Sequence, residues 1–386
     1  MAVVVDTQFD DVLNTSLRNL PRGKFNDFAS KFQHYEAFSR LMKSEGETVV
    51  DTADGGQGGF SFDAMTAGNG MGAMVGLADV DDVNFSDGSV KGYIPWRRNK
   101  TAWEIERRLS LENKGLAKLY DLVKLKQAQS EVSNADCLEA EFWGGPSGAT
   151  DLLSLWGMKL WLQLRDAATI ASDAAGTTHG GFTSKIPNGF TDIAGVSPTT
   201  VARWRNWAAA YTQYTKSDIL TRMREAAMYT DFKSPVDVPD FQRGKGNRMR
   251  VYADQPSCLA MELIGEGQNE NLGRDLAPFQ IAADLKDRFG AGSITFRGSP
   301  IIPVGQMNPT DIAGNALTWG AHHPVMMINW AWGGVKFLEG DMFRVSSPIM
   351  DPLRHNWTRV FTDATLNPYF TDRSRLAIIY QSVNGD

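Results

Sequence analysis

The chain has 386 residues, more than one ordinary small core needs, which predicts two or more lobes. Its composition, 42% hydrophobic and 22% charged, is that of a globular protein and excludes a disordered one. The formal net charge of −6 argues against a dedicated nucleic-acid binder, because a phosphate backbone requires a concentrated cationic face.

The cysteines and the N-terminus favour a protein of a reducing compartment. Cys137 and Cys258 are far apart and outside CxxC spacing, so neither a disulfide framework nor a zinc site is predicted. The N-terminus has no basic region followed by a long apolar core, so we expect no signal peptide. No stretch approaches ~20 uninterrupted apolar residues, so we expect no membrane-spanning segment.

Residues 8–44 predict two helical segments, separated by the Pro-Arg-Gly sequence at 21–23. Phe25, Phe28 and Phe32 recur at helical spacing in the second segment. An N-terminal extension so rich in aromatic residues is either an ordinary docked helix or an arm that contacts a partner.

Residues 47–108 predict a long two-stranded excursion with a flexible end. Phe60 and Phe62 alternate with polar residues, and a second strand pattern covers 90–107. Eight glycines lie between positions 55 and 76, and so Gly-rich a segment does not build its own core. A two-stranded ribbon is marginally stable alone, so this excursion needs a platform.

Residues 113–143 predict the longest helix. Its apolar residues include Leu119, Val123, Val132 and Leu138, and the Gly-Gly-Pro sequence at 144–146 ends it. At 1.5 Å per residue the helix is about 45 Å long. We expect it to pack on strands near 357–361 and 376–380, which come more than two hundred residues later.

The remaining residues mix helices and strands without the strict βαβ alternation of a doubly wound sheet, so an α+β class is predicted. A helix is predicted from 197, with Val201, Trp204, Trp207 and Tyr211 inward. Further helices are predicted after Ser217 and over 254–264. Strands are predicted at 249–253, 294–297, 301–304, 325–330, 335–338, 357–362 and 376–380.

Two segments of the sequence are similar to glycine-rich motifs of enzymes, but neither matches its motif. In the sequence from Gly68 to Gly76, the third glycine of a dinucleotide fingerprint falls one place late, and no convincing helix follows. Residues 145–149 lack the last glycine of a GxSxG nucleophile elbow and follow a helix rather than a strand. No catalytic or cofactor-binding residue is therefore predicted.

Charged and metal-binding patterns are equally weak. His322 and His323 are adjacent, so in a strand they point to opposite faces and do not share a metal. The basic run from Arg243 through Lys245 to Arg250 predicts a solvated loop or an inter-subunit charge patch rather than a DNA-reading element. No metal site is predicted.

The order of these features resembles the tailed-bacteriophage major capsid fold of the Hong Kong ninety-seven type. The order is an aromatic-rich arm, a Gly-tipped β excursion, a long helix, a mixed lobe and returning strands. Short strings resemble a group of these proteins in the same order: YIPWRR at 93–98, WEIERR at 103–108, EFWG at 141–144, WRNW at 204–207, YTDFKSP at 229–235 and NENLG at 269–273.

The resemblance implies an α+β capsid fold with named parts. These are an N-terminal arm (1–46), an E-loop β-hairpin excursion (47–108), a spine helix of the peripheral domain (109–146), a mainly axial domain (147–335) and returning strands of the peripheral domain (336–386). Because the arm starts close to Met1, we expect no fused scaffolding segment.

The implied function is that of a major capsid protein, not an enzyme, and without cofactors. Copies of the chain would form hexamers and pentamers of an icosahedral virion shell, assembled in the host cytoplasm around double-stranded DNA that is not read by sequence. The other implied partners are a separate scaffolding protein, a portal and a cementing protein. The alternatives are the shell of an encapsulin-like nanocompartment, which shares the fold, and a nucleotide-binding enzyme that uses residues 55–76.

Subunit contacts are expected at the arm, the excursion and the basic run. The candidate interface residues are Phe9, Phe25, Phe28, Phe32, Phe60, Phe62, Gly68, Gly70, Gly72, Trp96, Arg97, Arg98, Arg243 and Lys245.

Overall fold

The structure is a computed structural model that describes residues 36–42, 50–53, 58–66, 88–108, 116–165, 180–187, 189–231, 249–269, 279–281, 294–311 and 313–381. Most of the predicted N-terminal arm and the Gly-rich end of the excursion lie outside these ranges. Helices and two large sheets are combined in the described part, which confirms the predicted α+β class.

The helical elements are one long helix and several short ones. The α-helices are α1 (Leu116–Trp143), α2 (Met158–Trp161), α3 (Ile219–Thr230) and α4 (Gln255–Asn269). A π-helical stretch at Glu36–Met42, called the arm turn below, precedes them. Short 3-10 turns lie at Ala202–Trp204, Gly305–Met307, Gly320–His322 and Arg373–Arg375.

The strands of the described residues are β1 (Val50–Ala53), β2 (Gly59–Met65), β3 (Ser89–Pro95), β4 (Arg97–Glu106), β5 (Gly181–Thr183), β6 (Asn206–Tyr211), β7 (Met249–Ala253), β8 (Phe279–Ile281), β9 (Ile294–Phe296), β10 (Ser299–Pro303), β11 (Val325–Asn329), β12 (Gly333–Leu338), β13 (Arg344–Val345), β14 (Ile349–Met350), β15 (Trp357–Phe370) and β16 (Leu376–Gln381). All seven strands predicted after residue 248 are present, and the one predicted at 357–362 continues to Phe370.

The larger sheet has eight strands in the order β5-β6-β16-β11-β7-β10-β9-β8 and is buried on both faces at its centre. In β16, Ile378 and Tyr380 face a central cluster that contains Trp143 and Phe370, while Ala377 and Ile379 face α3 and its neighbours. Alternate side chains of a strand point to opposite faces, so a doubly covered strand is apolar at every position. This is why these strands are continuous apolar runs in the sequence.

The smaller sheet is built around the fourteen-residue strand β15. Strand β4 pairs with it antiparallel from Arg97 opposite Leu366 to Glu106 opposite Trp357. Its other edge pairs with β12, β13 and β14, and β1 adds to β12 in parallel. This sheet therefore joins the root of the excursion to strands from the last sixty residues of the chain.

The predicted excursion contains a true hairpin, although only part of it is two-stranded. Strands β2 and β3 pair antiparallel, and β3 continues through Trp96 into β4. Because β1 and β4 belong to the six-stranded sheet, the described two-stranded ribbon is limited to β2 and β3. The tip at 67–87 lies outside the described residues.

The long helix α1 packs mainly on β4. Val123 joins Trp103, Ile105 and Val360 in one cluster, while Leu138, Phe142 and Trp143 join the central cluster. The predicted contact with 357–361 is thus confirmed through Val360. Strand β16 lies in the eight-stranded sheet, and its Ile378 and Tyr380 share the central cluster with the C-terminal part of α1.

The helix predicted from residue 197 is wrong. A 3-10 turn at Ala202–Trp204 leads into strand β6, which pairs in parallel with β16. Trp207 and Tyr211 are buried as expected, but they lie on one face of a strand, four residues apart. A spacing of four residues fits both the helical and the strand period, so it did not distinguish a helix from a strand. The strand that pairs with β6 in parallel, β16, is remote in sequence.

Candidate assembly surfaces

The root of the hairpin is fixed to its own subunit by an aromatic cluster. The Phe60 ring lies 5.0 Å from the Trp96 ring and 5.8 Å from the Tyr369 ring, centroid to centroid. The Lys336 Nζ lies over the same ring at 5.3 Å. Phe60 is 7% exposed, so its side chain completes the core of the subunit.

The middle of the hairpin is fixed by the segment 193–204. The Tyr93 backbone N–H donates to the Ala194 carbonyl at 3.0 Å, and the Phe62 ring stacks on the Trp204 ring at 6.0 Å. Trp204 Nε1 in turn donates to the Ile193 carbonyl at 3.1 Å. A two-stranded ribbon needs a surface to pack on, and along β2 and β3 the same chain supplies that surface.

Arg97 connects the start of β4 to the loop after α1. Its Nε donates to the Ser154 carbonyl at 3.1 Å and its Nη2 to the Asp151 carbonyl at 3.3 Å. Both of these acceptors are backbone carbonyls. Burial lowers the pKa of the Arg97 guanidinium, and the nearby Asp151 opposes this change. The side chain therefore serves the internal structure of this loop.

The loop held by Arg97 presents two leucines to solvent. The Asp151 carboxylate accepts the backbone N–H groups of Ser154, Leu153 and Ser147, and these hydrogen bonds hold its pKa well below the usual range. Leu152 and Leu153 are both exposed, the latter at 87%. The loop is thus an ordered turn that displays apolar side chains instead of burying them.

A second turn of the same design lies at the other end of the β4–β15 ladder. The Asp351 Oδ1 accepts the Leu353 N–H at 3.0 Å, and its Oδ2 lies 2.8 Å from Arg359 Nη2. Leu353 is 91% exposed. Aspartate side chains commonly cap the backbone two residues on, which is the only sequence signal that could have pointed to either turn.

Several apolar side chains between residues 342 and 353 are exposed, and this stretch is called the 342–353 strip below. Its members are Met342, Val345, Ile349, Met350 and Leu353. Single exposed apolar residues are ordinary on a protein surface, but five within twelve consecutive residues make this stretch a candidate interaction site. Sequence analysis did not identify this strip, because strands β13 and β14 are only two residues long.

The predicted interface residues fall into three groups. Phe60 and Arg97 are buried by their own chain, so neither offers its side chain to a neighbour in this conformation. Phe62 and Trp96 are half-buried, and the exposed Arg98 guanidinium lies 3.1 Å from the Asp363 carboxylate. Nine others lie outside the described residues: Phe9, Phe25, Phe28, Phe32, Gly68, Gly70, Gly72, Arg243 and Lys245.

Arg250, the last member of the basic run, is not a free loop residue. It lies in β7, and its Nη1 is 3.7 Å from Glu36 Oε1 of the arm turn. Within the described ranges, no group of three or more His, Cys, Asp and Glu side chains is placed to bind a metal ion. No described helix combines the length and apolarity that crossing a membrane demands.

Solved structures are similar to this chain over almost its whole length. The cyanophage A-1(L) capsid asymmetric unit matches with a TM-score of 0.55 and 13% identity, over 93% of this chain and 96% of that chain. A Mycobacterium phage Ogopogo chain matches with a TM-score of 0.48 and 12% identity, over 95% and 99%. The SrpI encapsulin complex from Synechococcus elongatus PCC 7942 matches with a TM-score of 0.46 and 10% identity, over 95% and 94%.

No family model matches the chain. No curated protein matches it either. The structural likeness is therefore recognised from the backbone and not from sequence identity. The cyanophage match, together with the hairpin, the long helix and the two sheets, confirms that the chain has the tailed-phage capsid fold.

Proposed function

We propose that this chain is the major capsid protein of a tailed bacteriophage. Copies of it would assemble into the icosahedral head shell that encloses the double-stranded DNA genome, so that the mature protein resides in the virion. The observation that carries the proposal is the likeness to the cyanophage capsid chain over 93% of this chain and 96% of that one.

The exposed surface supports a self-assembling role. The 342–353 strip and the Leu152–Leu153 turn leave apolar side chains in water that the subunit could bury only against another molecule. Obligate interfaces bury about 2,000–5,000 Å² and are apolar at their centres. The hairpin tip and the residues before the arm turn would add to such contacts in hexamers and pentamers.

The proposal extends to partners and excludes a catalytic role. We expect a separate scaffolding protein, a portal and a cementing protein to act with the shell, which would be assembled in the host cytoplasm. DNA would be enclosed without sequence-specific contacts, because the net charge of −6 provides no strongly cationic lining. We expect no cofactor and no turnover.

Assembly of the purified full chain tests the proposal. Size-exclusion chromatography with light scattering, followed by negative-stain microscopy, should reveal shells or capsomers across a series of salt and pH conditions, with and without a co-expressed scaffolding protein. A stable monomer in every condition would overturn the proposal. Small cages filled with a protein cargo would favour a nanocompartment, and micromolar binding of ATP or NAD would favour the enzyme alternative.

A further inference from the structure

A groove lies between the long helix α1 and the six-stranded sheet, next to the arm turn. Its volume is about 100 Å³, and Thr101, Trp103 and Thr362 line it from β4 and β15. Phe38 of the arm turn and Phe343 also line it, and their rings lie edge-on with 5.8 Å between centroids. One side of the groove is therefore aromatic.

The α1 side of the groove is polar. The residues that line it recur at spacings of three and four, which places them on one face of the helix: Gln127, Ser130, Glu131 and Asn134. The Ser130 hydroxyl lies 3.2 Å from the Thr101 hydroxyl. The Gln127 Oε1 and Asn134 Oδ1 atoms, in contrast, are buried and accept no hydrogen bond from any described residue. Asn134 as a whole is only 6% exposed.

These two oxygens indicate that another group completes the groove. A buried amide oxygen without a donor costs free energy, and most such atoms in native proteins have a donor. An enclosed cavity of about 150 Å³ binds a benzene molecule. The groove is open to solvent at the exposed Glu131 and Val345, so it can admit one aromatic side chain. A peptide segment that carries both an aromatic ring and N–H donors therefore fits both sides of the groove.

We propose that residues 25–33 of the same chain bind in this groove, with Phe32 as the anchor. Their sequence, FNDFASKFQ, has three phenylalanines among polar residues. The Phe32 ring would pack against Phe38 and Trp103, because aromatic rings attract one another in edge-on and offset arrangements. The neighbouring Lys31 has three N–H donors and a charge opposite to that of Glu131 at the rim.

The position of this segment in the chain favours it over other occupants. Glu36 begins the arm turn, and Phe38, two residues later, lines the groove. Phe32 is six residues before Phe38, so even an extended chain keeps it within about 20 Å of that residue. A short connection gives a high effective concentration, so the segment should outcompete the same segment of a second copy. The first predicted segment of the arm, with Phe9, stays available for contacts between subunits.

Thiol cross-linking of the full, unassembled chain tests the proposal. The two native cysteines are first replaced, as Cys137→Ser and Cys258→Ala. Gln33→Cys then places a thiol beside the anchor ring, and Val345→Cys places one in the groove. A short bismaleimide should link these two thiols within one chain. The product is a looped monomer on a denaturing gel and a linked pair of peptides in mass spectrometry.

Two comparisons identify the site and the anchor. Ile349→Cys is the matched control for Val345→Cys, because Ile349 is similarly exposed but its partner on β15 is three residues from that of Val345. An odd spacing places the two side chains on opposite faces of the sheet, so the link to position 349 should form about tenfold less. Phe32→Ala should reduce the link between positions 33 and 345 about tenfold, because the ring contacts are lost. Phe9→Ala should leave this link unchanged.

Three results would overturn the proposal. They are equal linking at positions 345 and 349, linking that Phe32→Ala leaves unchanged, and linked dimers in place of linked monomers, which would put the segment in a neighbour's groove. Should Val345→Cys fail to fold, Glu131→Cys decides the question from the α1 side. Its control is Ser133→Cys, an exposed position on the opposite face of the helix. All measurements use single subunits, so their outcome does not depend on shell formation.

Discussion

The two sheets of this subunit differ in how completely the chain itself covers them. The eight-stranded sheet is covered on both faces, and every residue of β11 is buried. The Arg373 guanidinium, just before β16, is also fully buried. It donates to the Trp161 and Trp204 carbonyls and to the Asn206 side chain. The six-stranded sheet carries its charges at the margin, as in the Arg359–Glu104 pair, and exposes the apolar 342–353 strip.

This contrast separates the apolar side chains that the chain buries by itself from those that remain available to another molecule. A fully covered sheet gains its apolar burial during folding, whereas exposed apolar side chains gain it only on association. Changes in the covered sheet and in the α1 core should therefore unfold the subunit. Changes on the 342–353 strip should leave the fold intact and alter assembly alone.

The largest effect is expected for Arg373→Ala. The change removes a donor from each of the buried acceptors of this guanidinium, of which Asn206 Oδ1 keeps the Gln163 N–H, and it creates a cavity. Together these losses should lower the free energy of unfolding by about 3–5 kcal/mol. Burial lowers the pKa of Arg373 to about 9, so the wild-type group is still protonated at neutral pH. Urea denaturation measures the loss. Arg203→Ala, at an exposed position, should change stability by at most about 0.5 kcal/mol.

Leu138→Ala tests whether α1 belongs to the stabilising part. Leu138 is 1% exposed in the central cluster, so transfer and cavity terms should cost about 2–5 kcal/mol. Shells should be lost because subunits unfold. Lys126→Ala on the same helix should stay within about 0.5 kcal/mol in the same urea titration. Unchanged subunit stability with altered assembly would make α1 an interface element instead.

Gly92→Ala should loosen the hairpin without unfolding the sheets. A methyl group at this position would lie 2.4 Å from the Phe62 ring, which must move away from Trp204 at a cost of about 1–3 kcal/mol. Trypsin should then cleave faster after the exposed Lys91, while the urea midpoint of the whole subunit hardly changes. Ser61→Ala, on the facing strand, serves as the control and should leave the cleavage rate at its wild-type value.

Leu353→Ser should have the smallest effect on stability. The side chain is 91% exposed, so unfolding should change by less than about 0.5 kcal/mol. Light scattering should nevertheless show a marked loss of assembly, because a rigid turn offers its leucine at little entropic cost. His355→Ser in the same loop is the matched control. Normal shells from Leu353→Ser would remove the 342–353 strip from the assembly surface.

Elements with a strong local signal could be predicted from the sequence. The run predicted at 249–253 is strand β7 in full, and the helix predicted over 113–143 is present as α1 over its described residues. The strand β6 was missed, because its six residues are covered on two faces and show no alternation. β6 is a strand because it pairs with β16, about one hundred and seventy residues later, and a local sequence pattern gives no information on that partner.

The assembly surfaces could be predicted much less well. Phe60 was expected at an interface because its alternating strand belongs to an excursion that needs a platform. In the structure Tyr369 and Lys336, from more than two hundred and seventy residues away, supply contacts to its ring within the same chain. Leu153 and Leu353 could not be recognised, since the sequence of a loop does not show whether its leucine side chains are buried or exposed. Periodicity identifies an apolar face, whereas the partner that covers this face is set by the tertiary fold.

The long β4–β15 ladder also determines how the subunit carries mechanical load. Strand β3 of the hairpin leads through Trp96 into β4, so a pull on the hairpin is passed to the end of that strand. Its ten residues are held side by side to β15, from Arg97 opposite Leu366 to Glu106 opposite Trp357. A force in this direction shears all of these hydrogen bonds together instead of opening them one after another. Internal pressure on a shell of such subunits would thus be resisted by an entire ladder at once.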